Sequence, residues 1–202
     1  MARPASEVAD RVAQRGRGID SFISKLEALH ARRELTRLDV ERAYAGGFLA
    51  FFTAYEKAWE DLFFGLLMGR LTVVPPCVPL VQVRSEVVAR RMVHGDRDYI
   101  DWLPIDRTTR RASVYFATSH PFSRLTDGDR SVIKRYVLLR HALAHDSDYS
   151  TRQFRRHVIG QRVLPPHERR PAGYLRGPHA TGQTRMNLAL AELTLVLTRV
   201  CA

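Results

Sequence analysis

Between Asp39 and Leu71 the chain carries Phe48, Phe51, Phe52, Tyr55, Trp59, Phe63 and Leu66, large apolar side chains recurring every three or four residues. That period is the signature of one helix face, and so broad a stripe has to be buried against other elements. The run therefore predicts a long helix in an all-α core, with Gly46 and Gly47 as the places where it would bend or split. Glu56, Lys57, Glu60 and Asp61 interrupt it, so it does not read as a membrane span.

The same spacing at Phe22, Ile23, Leu26 and Leu29 predicts an amphipathic helix from Ile19 to about Thr36. A further helix is expected from Gln82 to Val93, after "TVVPPCVPL", whose prolines forbid helix because they lack the amide donor. "TDGDR", residues 126–130, offers Thr and Asp side chains that can cap a helix start, and "VIKRYVLLRHALAH" follows. "TRMNLALAELTLVLTRV" reads as the last helix. Residues 1–17 read as a flexible lead-in, 95–125 as an irregular insertion, and 165–182 as a basic Pro/Gly-rich loop. The expected fold is a single helical domain over residues 18–202, a bundle of four to five long helices. No internal repeat, GxxxxGK[ST] or GxGxxG occurs, which disfavours the common nucleotide-binding folds.

Charge narrows the partner. Lys and Arg number 32 against 21 Asp and Glu, a net charge of +11. That balance favours a polyanion such as RNA, DNA or a membrane surface. Three of the 32 are lysines, leaving 29 arginines, the side chain suited to bidentate phosphate contacts, although genomic codon bias produces the same excess. Cys77 and Cys201 stand far apart with no CxxC or ligand cluster, so neither a disulfide framework nor structural zinc is expected. The first residues lack the apolar core of a signal peptide, and the expected location is the cytoplasm.

Arg140 breaks the pattern of its helix. On a helical wheel Val132, Ile133, Tyr136, Val137, Leu139, Leu143 and Ala144 form one apolar arc, and Arg140 projects from its middle with His141 and His145 on the flank. A guanidinium on a core-facing stripe has to be paired or to face a solvated cleft or subunit interface. One reading pairs Arg140 with Glu56, Glu60 or Asp61. Another treats the histidines, four apart, as half of a metal site with Asp146 and Asp148 close behind. The HExxH pattern would require Glu at position 142, where the chain has Ala142, so no metal or other cofactor is assigned.

"RHALAH", Arg140 to His145, resembles the Arg-polar-x-x-x-His signature of HEPN ribonucleases, which lies on a late helix of an α-helical bundle. The stretch "LPPHERRPAGYLRG" with the helix after it resembles stand-alone bacterial HEPN proteins of defence and toxin-antitoxin loci, and the likeness spans about residues 40–200. The resemblance implies a HEPN-like bundle acting as a metal-independent endoribonuclease. It further implies a homodimer with two copies of the motif in one cleft, and a possible antitoxin protein as partner. It casts His145 as general acid/base, Arg140 as the phosphate-binding stabiliser and His141 as an orienting or proton-sharing group. The chemistry fits, since imidazole exchanges protons near neutral pH and arginine stays charged.

Further RNA contacts are expected from Arg152, Arg155 and Arg156 in "RQFRRH", and from Arg169, Arg170, Tyr174 and Arg176 in the loop, by charge and by stacking. The competing expectation is a HEPN module that binds RNA or a nucleotidyltransferase-type partner without cutting. A helical DNA-binding regulator ranks last, because no helix-turn-helix is recognisable.

Overall fold

Three of the four long helices begin with the same local signal. In Thr36-Arg-Leu-Asp39, Thr126-Asp-Gly-Asp129 and Thr184-Arg-Met-Asn187, the Thr hydroxyl accepts from the backbone N–H three residues on, at 3.2, 3.1 and 3.3 Å. The Asp or Asn oxygen accepts the Thr N–H in return, at 3.0, 3.0 and 2.8 Å. This reciprocal box satisfies amides that the first turn leaves without partners.

The computed structural model describes residues 2–145 and 147–202. The chain is mostly helical. The long helices are α1 (Ser6–Ala31), α2 (Arg37–Leu67), α5 (Asp127–Ala144) and α8 (Arg185–Cys201). Shorter ones are α3 (Glu86–His94), α4 (Ile105–Tyr115), α6 (Asp148–Phe154) and α7 (Pro171–Arg176). β1 (Arg3–Pro4) pairs in parallel with β2 (Leu71–Thr72), and β3 (Pro178–Ala180) pairs antiparallel with β4 (Gln183–Thr184). Among the described residues no helix is long and apolar enough to cross a membrane.

Two compact units are defined by contacts: Met1–Val12, Tyr55–Ile133 and Thr194–Ala202 form unit 1, and Ala13–Ala54 with Lys134–Leu193 form unit 2. The core of unit 1 gathers on Phe63, whose ring lies 5.1 Å from Trp102, 5.2 Å from Phe116 and 5.7 Å from Phe122. Segment 95–125 thus supplies half of an aromatic core, and it includes α4 and a short 3-10 turn at Pro121–Arg124. In unit 2, Tyr44, Phe48, Leu139, Phe154, Leu175, Met186 and Leu193 are buried together with Ile19 and Ile23.

Several boundaries differ from those expected. The described part of the expected flexible lead-in, residues 2–17, is ordered, because α1 starts at Ser6 and Ala5, Val8, Ala9 and Val12 are buried. These are small side chains set among Glu7, Asp10 and Arg11, so the stripe they form at three-and-four spacing is narrow though fully used in packing. Phe22, expected on the buried face, is exposed. Gly46 and Gly47 do not split α2, which runs unbroken from Arg37 to Leu67. A Cβ at Gly47 would sit 3.1 Å from Ile19 Cγ2, so the missing side chain lets α1 and α2 approach closely within unit 2. The loop 165–182 is largely ordered secondary structure, since Pro171 occupies the first turn of α7, where its missing amide costs nothing.

Candidate functional site

The buried stripe of α5 runs through Ile133, Tyr136, Val137 and Leu139 and then fades. Arg140 is half-buried at its edge, Leu143 is half-buried, and His141, Ala144 and His145 are exposed. Arg140 therefore stands where the stripe meets solvent, not in its middle. The carboxylates that one reading assigned to Arg140 have partners within unit 1. Glu60 is taken by Lys57 and Arg90, Asp61 by Lys57 and Arg11, and Glu56 accepts from Tyr99. None of the ion pairs among the described residues involves Arg140.

His141 and His145 meet edge to face, with ring centroids 6.1 Å apart and planes inclined at 63°. The backbone holds them in step: the His145 amide donates to the His141 carbonyl at 2.9 Å, and the Ser150 hydroxyl donates to the His145 carbonyl at 2.8 Å. Ser147 caps α6 by accepting from the Ser150 amide at 3.2 Å. Asp146, considered above as a metal ligand, lies outside the described residues. Among those described, no group of three or more His, Cys, Asp or Glu side chains is arranged to hold a metal ion.

No protein-family model, curated protein or solved structure matches this chain.

The auxiliary residues divide. Arg152, Arg155 and Arg156 are exposed, on α6 and on the π-helical turn Arg155–Ile159 that continues it. Arg169 and Arg170 are also exposed, although Arg169 Nε donates to the Leu164 carbonyl at 2.8 Å. Tyr174 is not available to stack on a base. It is buried edge-on against Phe154 at 5.6 Å, and its hydroxyl accepts from Arg162 at 2.9 Å. Arg176 is likewise structural, because Glu27 holds it through two hydrogen bonds of 2.9 Å. Both corrections have one cause: the Pro/Gly-rich segment folds onto unit 2 with these two residues as its anchors.

The π turn opens a cavity of about 510 Å³ whose wall includes Arg135, His157 and Arg162. Arg135 is restrained there. Its guanidinium lies 4.8 Å from the Tyr136 ring centroid, and Arg135 and the Tyr136 hydroxyl both donate to Glu192 at 2.5 Å. Burial, reinforced by the Glu192 hydrogen bond, pushes the Tyr136 pKa well above the phenol range, so this hydroxyl is a fixed donor and not an acid. Sequence reasoning missed Arg135 and Arg162 because each sits in a helical or loop pattern with no distinguishing neighbour.

Proposed function

We propose that this chain is a metal-independent endoribonuclease of HEPN type, working as a homodimer in a toxin-antitoxin or antiphage-defence setting. The supporting observation is the pair of exposed histidine rings one turn apart, 6.1 Å between centroids, directly after Arg140, which forms no ion pair among the described residues. Two imidazoles and one guanidinium are the groups needed to cut RNA by internal transesterification. One imidazole accepts the 2′-hydroxyl proton as the P–O2′ bond forms. An imidazolium donates a proton to the 5′-oxygen as the P–O5′ bond breaks. Arg140 stabilises the charge on the phosphorane oxygens with its planar fork. His145 takes the acid/base role, with His141 sharing or orienting the transfer, and a second copy of the chain supplies a second set. The exposed arginines 152, 155 and 156 are suited to hold the flanking phosphates.

The test incubates purified wild type and His145→Ala with total RNA and tRNA in excess EDTA, and reads fragments and their ends. Cutting by wild type alone, leaving 2′,3′-cyclic phosphates, is the expected result. If both proteins bind RNA and neither cuts it, the chain is instead a binding module that works with a nucleotidyltransferase-type partner.

A further inference from the structure

Unit 1 holds a second concentration of arginine, which the chemistry proposed for residues 140–145 does not use. α4 presents Arg107 and Arg111 one turn apart on the same face, and Arg97 comes from the segment that follows α3. The guanidinium carbon of Arg111 lies 5.1 Å from the Trp102 ring centroid. Trp102 is buried, and the buried Thr108 hydroxyl donates to its carbonyl at 2.6 Å, so the platform beneath Arg111 is fixed. In this position Arg111 Nη1 is sealed from solvent and has no hydrogen-bond partner among the described residues.

The surroundings make that charge harder to hold. Burial lowers the Arg111 pKa from its ordinary value, and Arg97 and Arg107 push it the same way, against Tyr115 and Asp101. The acids nearby do not relieve it. Asp106 is paired with Arg130 at 2.6 Å, and the Tyr115 hydroxyl is committed to the Met92 carbonyl at 2.6 Å. Asp101 comes within electrostatic reach of Arg111 but forms no ion pair with any of the three arginines among the described residues.

Like charges one turn apart oppose each other, and a buried guanidinium N–H without an acceptor is destabilising. An anion seated among the three arginines removes their mutual repulsion. A carboxylate has two oxygens and satisfies one fork, whereas a phosphate group has oxygens and charge for several. We infer that Arg97, Arg107 and Arg111, the last of them set on Trp102, form a binding site for a phosphate group, either a phosphodiester of single-stranded RNA or a small phosphate monoester.

The variant Arg97→Gln/Arg107→Gln changes two exposed side chains and leaves Trp102 and Thr108 in place. Arg15→Gln/Arg17→Gln, also exposed, is the charge-matched control. Two probes are used: inorganic phosphate, read as a thermal shift against chloride at equal ionic strength, and a labelled 2′-O-methyl RNA, read by anisotropy. The RNA cannot be cut, so the result does not depend on whether residues 140–145 are catalytic. For RNA, affinity at moderate salt is expected to fall on the order of tenfold in the site variant, and the salt slope by about 0.7 for each phosphate no longer neutralised. For phosphate, the stabilisation seen in wild type is expected to vanish. Loss of the RNA effect identifies a nucleic-acid phosphate, and loss of the phosphate effect alone identifies a small ester. A site variant that answers both probes as wild type does, or no differently from the control, overturns the inference.

Discussion

Arg176 on α7 grips Glu27 on α1 through both arms of its fork, Nε to Oε1 and Nη2 to Oε2 at 2.9 Å each, with four-fifths of the Arg176 side chain buried. Truncation would leave a partly buried carboxylate without its cation. Arg176→Ala is expected to lose about 2 kcal/mol of unfolding free energy, measured by urea denaturation, with RNA affinity unchanged. A stable variant that binds RNA more weakly would return Arg176 to the RNA surface.

Arg152, Arg155 and Arg156 behave in the opposite way. All three are exposed, so replacing them together with Gln is expected to leave stability within about 0.5 kcal/mol of wild type. If each holds one phosphate of a single strand, the slope of log affinity against log salt falls by about 2. An unchanged slope in a salt titration would remove them from the interface.

His120 gives the fold a pH limit. It is buried between α4 and the 3-10 turn of unit 1, where its Nδ1 accepts the Ser123 amide at 3.1 Å and its Nε2 faces the Ser113 hydroxyl at 3.3 Å. This arrangement suits the neutral ring with its proton on Nε2. Burial lowers its pKa below the ordinary 6.5. The unfolded chain therefore binds the proton more readily, so the contribution of His120 is complete above about pH 7 and is lost as pH falls from about 6.5 through the lower folded value. Denaturation midpoints compared between wild type and His120→Gln should converge in acid. A difference constant with pH would refute this account.

Gly173 packs against backbone, and a Cβ there would collide with the His167 carbonyl oxygen. Backbone cannot turn aside as a flexible side chain can. Gly173→Ala is expected to cost about 1–3 kcal/mol by overpacking, seen as a lower thermal midpoint. Gly18→Ala, where a Cβ meets nothing within 4 Å, is the comparison that isolates the clash.

The long helices are legible in the sequence because their signal is coarse. Phe48, Phe51, Phe52, Tyr55, Trp59, Phe63 and Leu66 mark one face of α2, and six aromatic residues in that set demand burial. The start of α5 is also readable, from Thr126 and Asp129. The equivalent boxes at Thr36 and Thr184 are as regular, but the residues within them are ordinary and the pattern emerges only when the three are compared. The start of α1 is hidden because its buried residues are small and stand among Glu7, Asp10, Arg11, Arg15 and Arg17, which makes the first turns of a packed helix look like a lead-in.

At the candidate site, the Arg140, His141 and His145 triplet is visible as a break in an apolar run, although where that run meets solvent is not. Tyr174 and Arg176 mislead because a Pro/Gly-rich segment full of arginine looks like a solvated loop. Nothing local reveals that Glu27, far away in sequence, and Phe154 are waiting for them. Trp102 and Arg111 are hidden for a similar reason. The pair forms only when α4 is fixed on its loop by the Thr108 hydroxyl, and that hydrogen bond has no counterpart in periodicity.

The segments that make up the two units are interleaved along the chain: unit 1 takes three stretches of sequence, unit 2 takes the two between them, and α1, α2, α5 and α8 each contribute residues to both. No single cut in residues 1–202 separates one unit from the other. A recombination junction placed anywhere between residues 13 and 193 would give each product pieces of both.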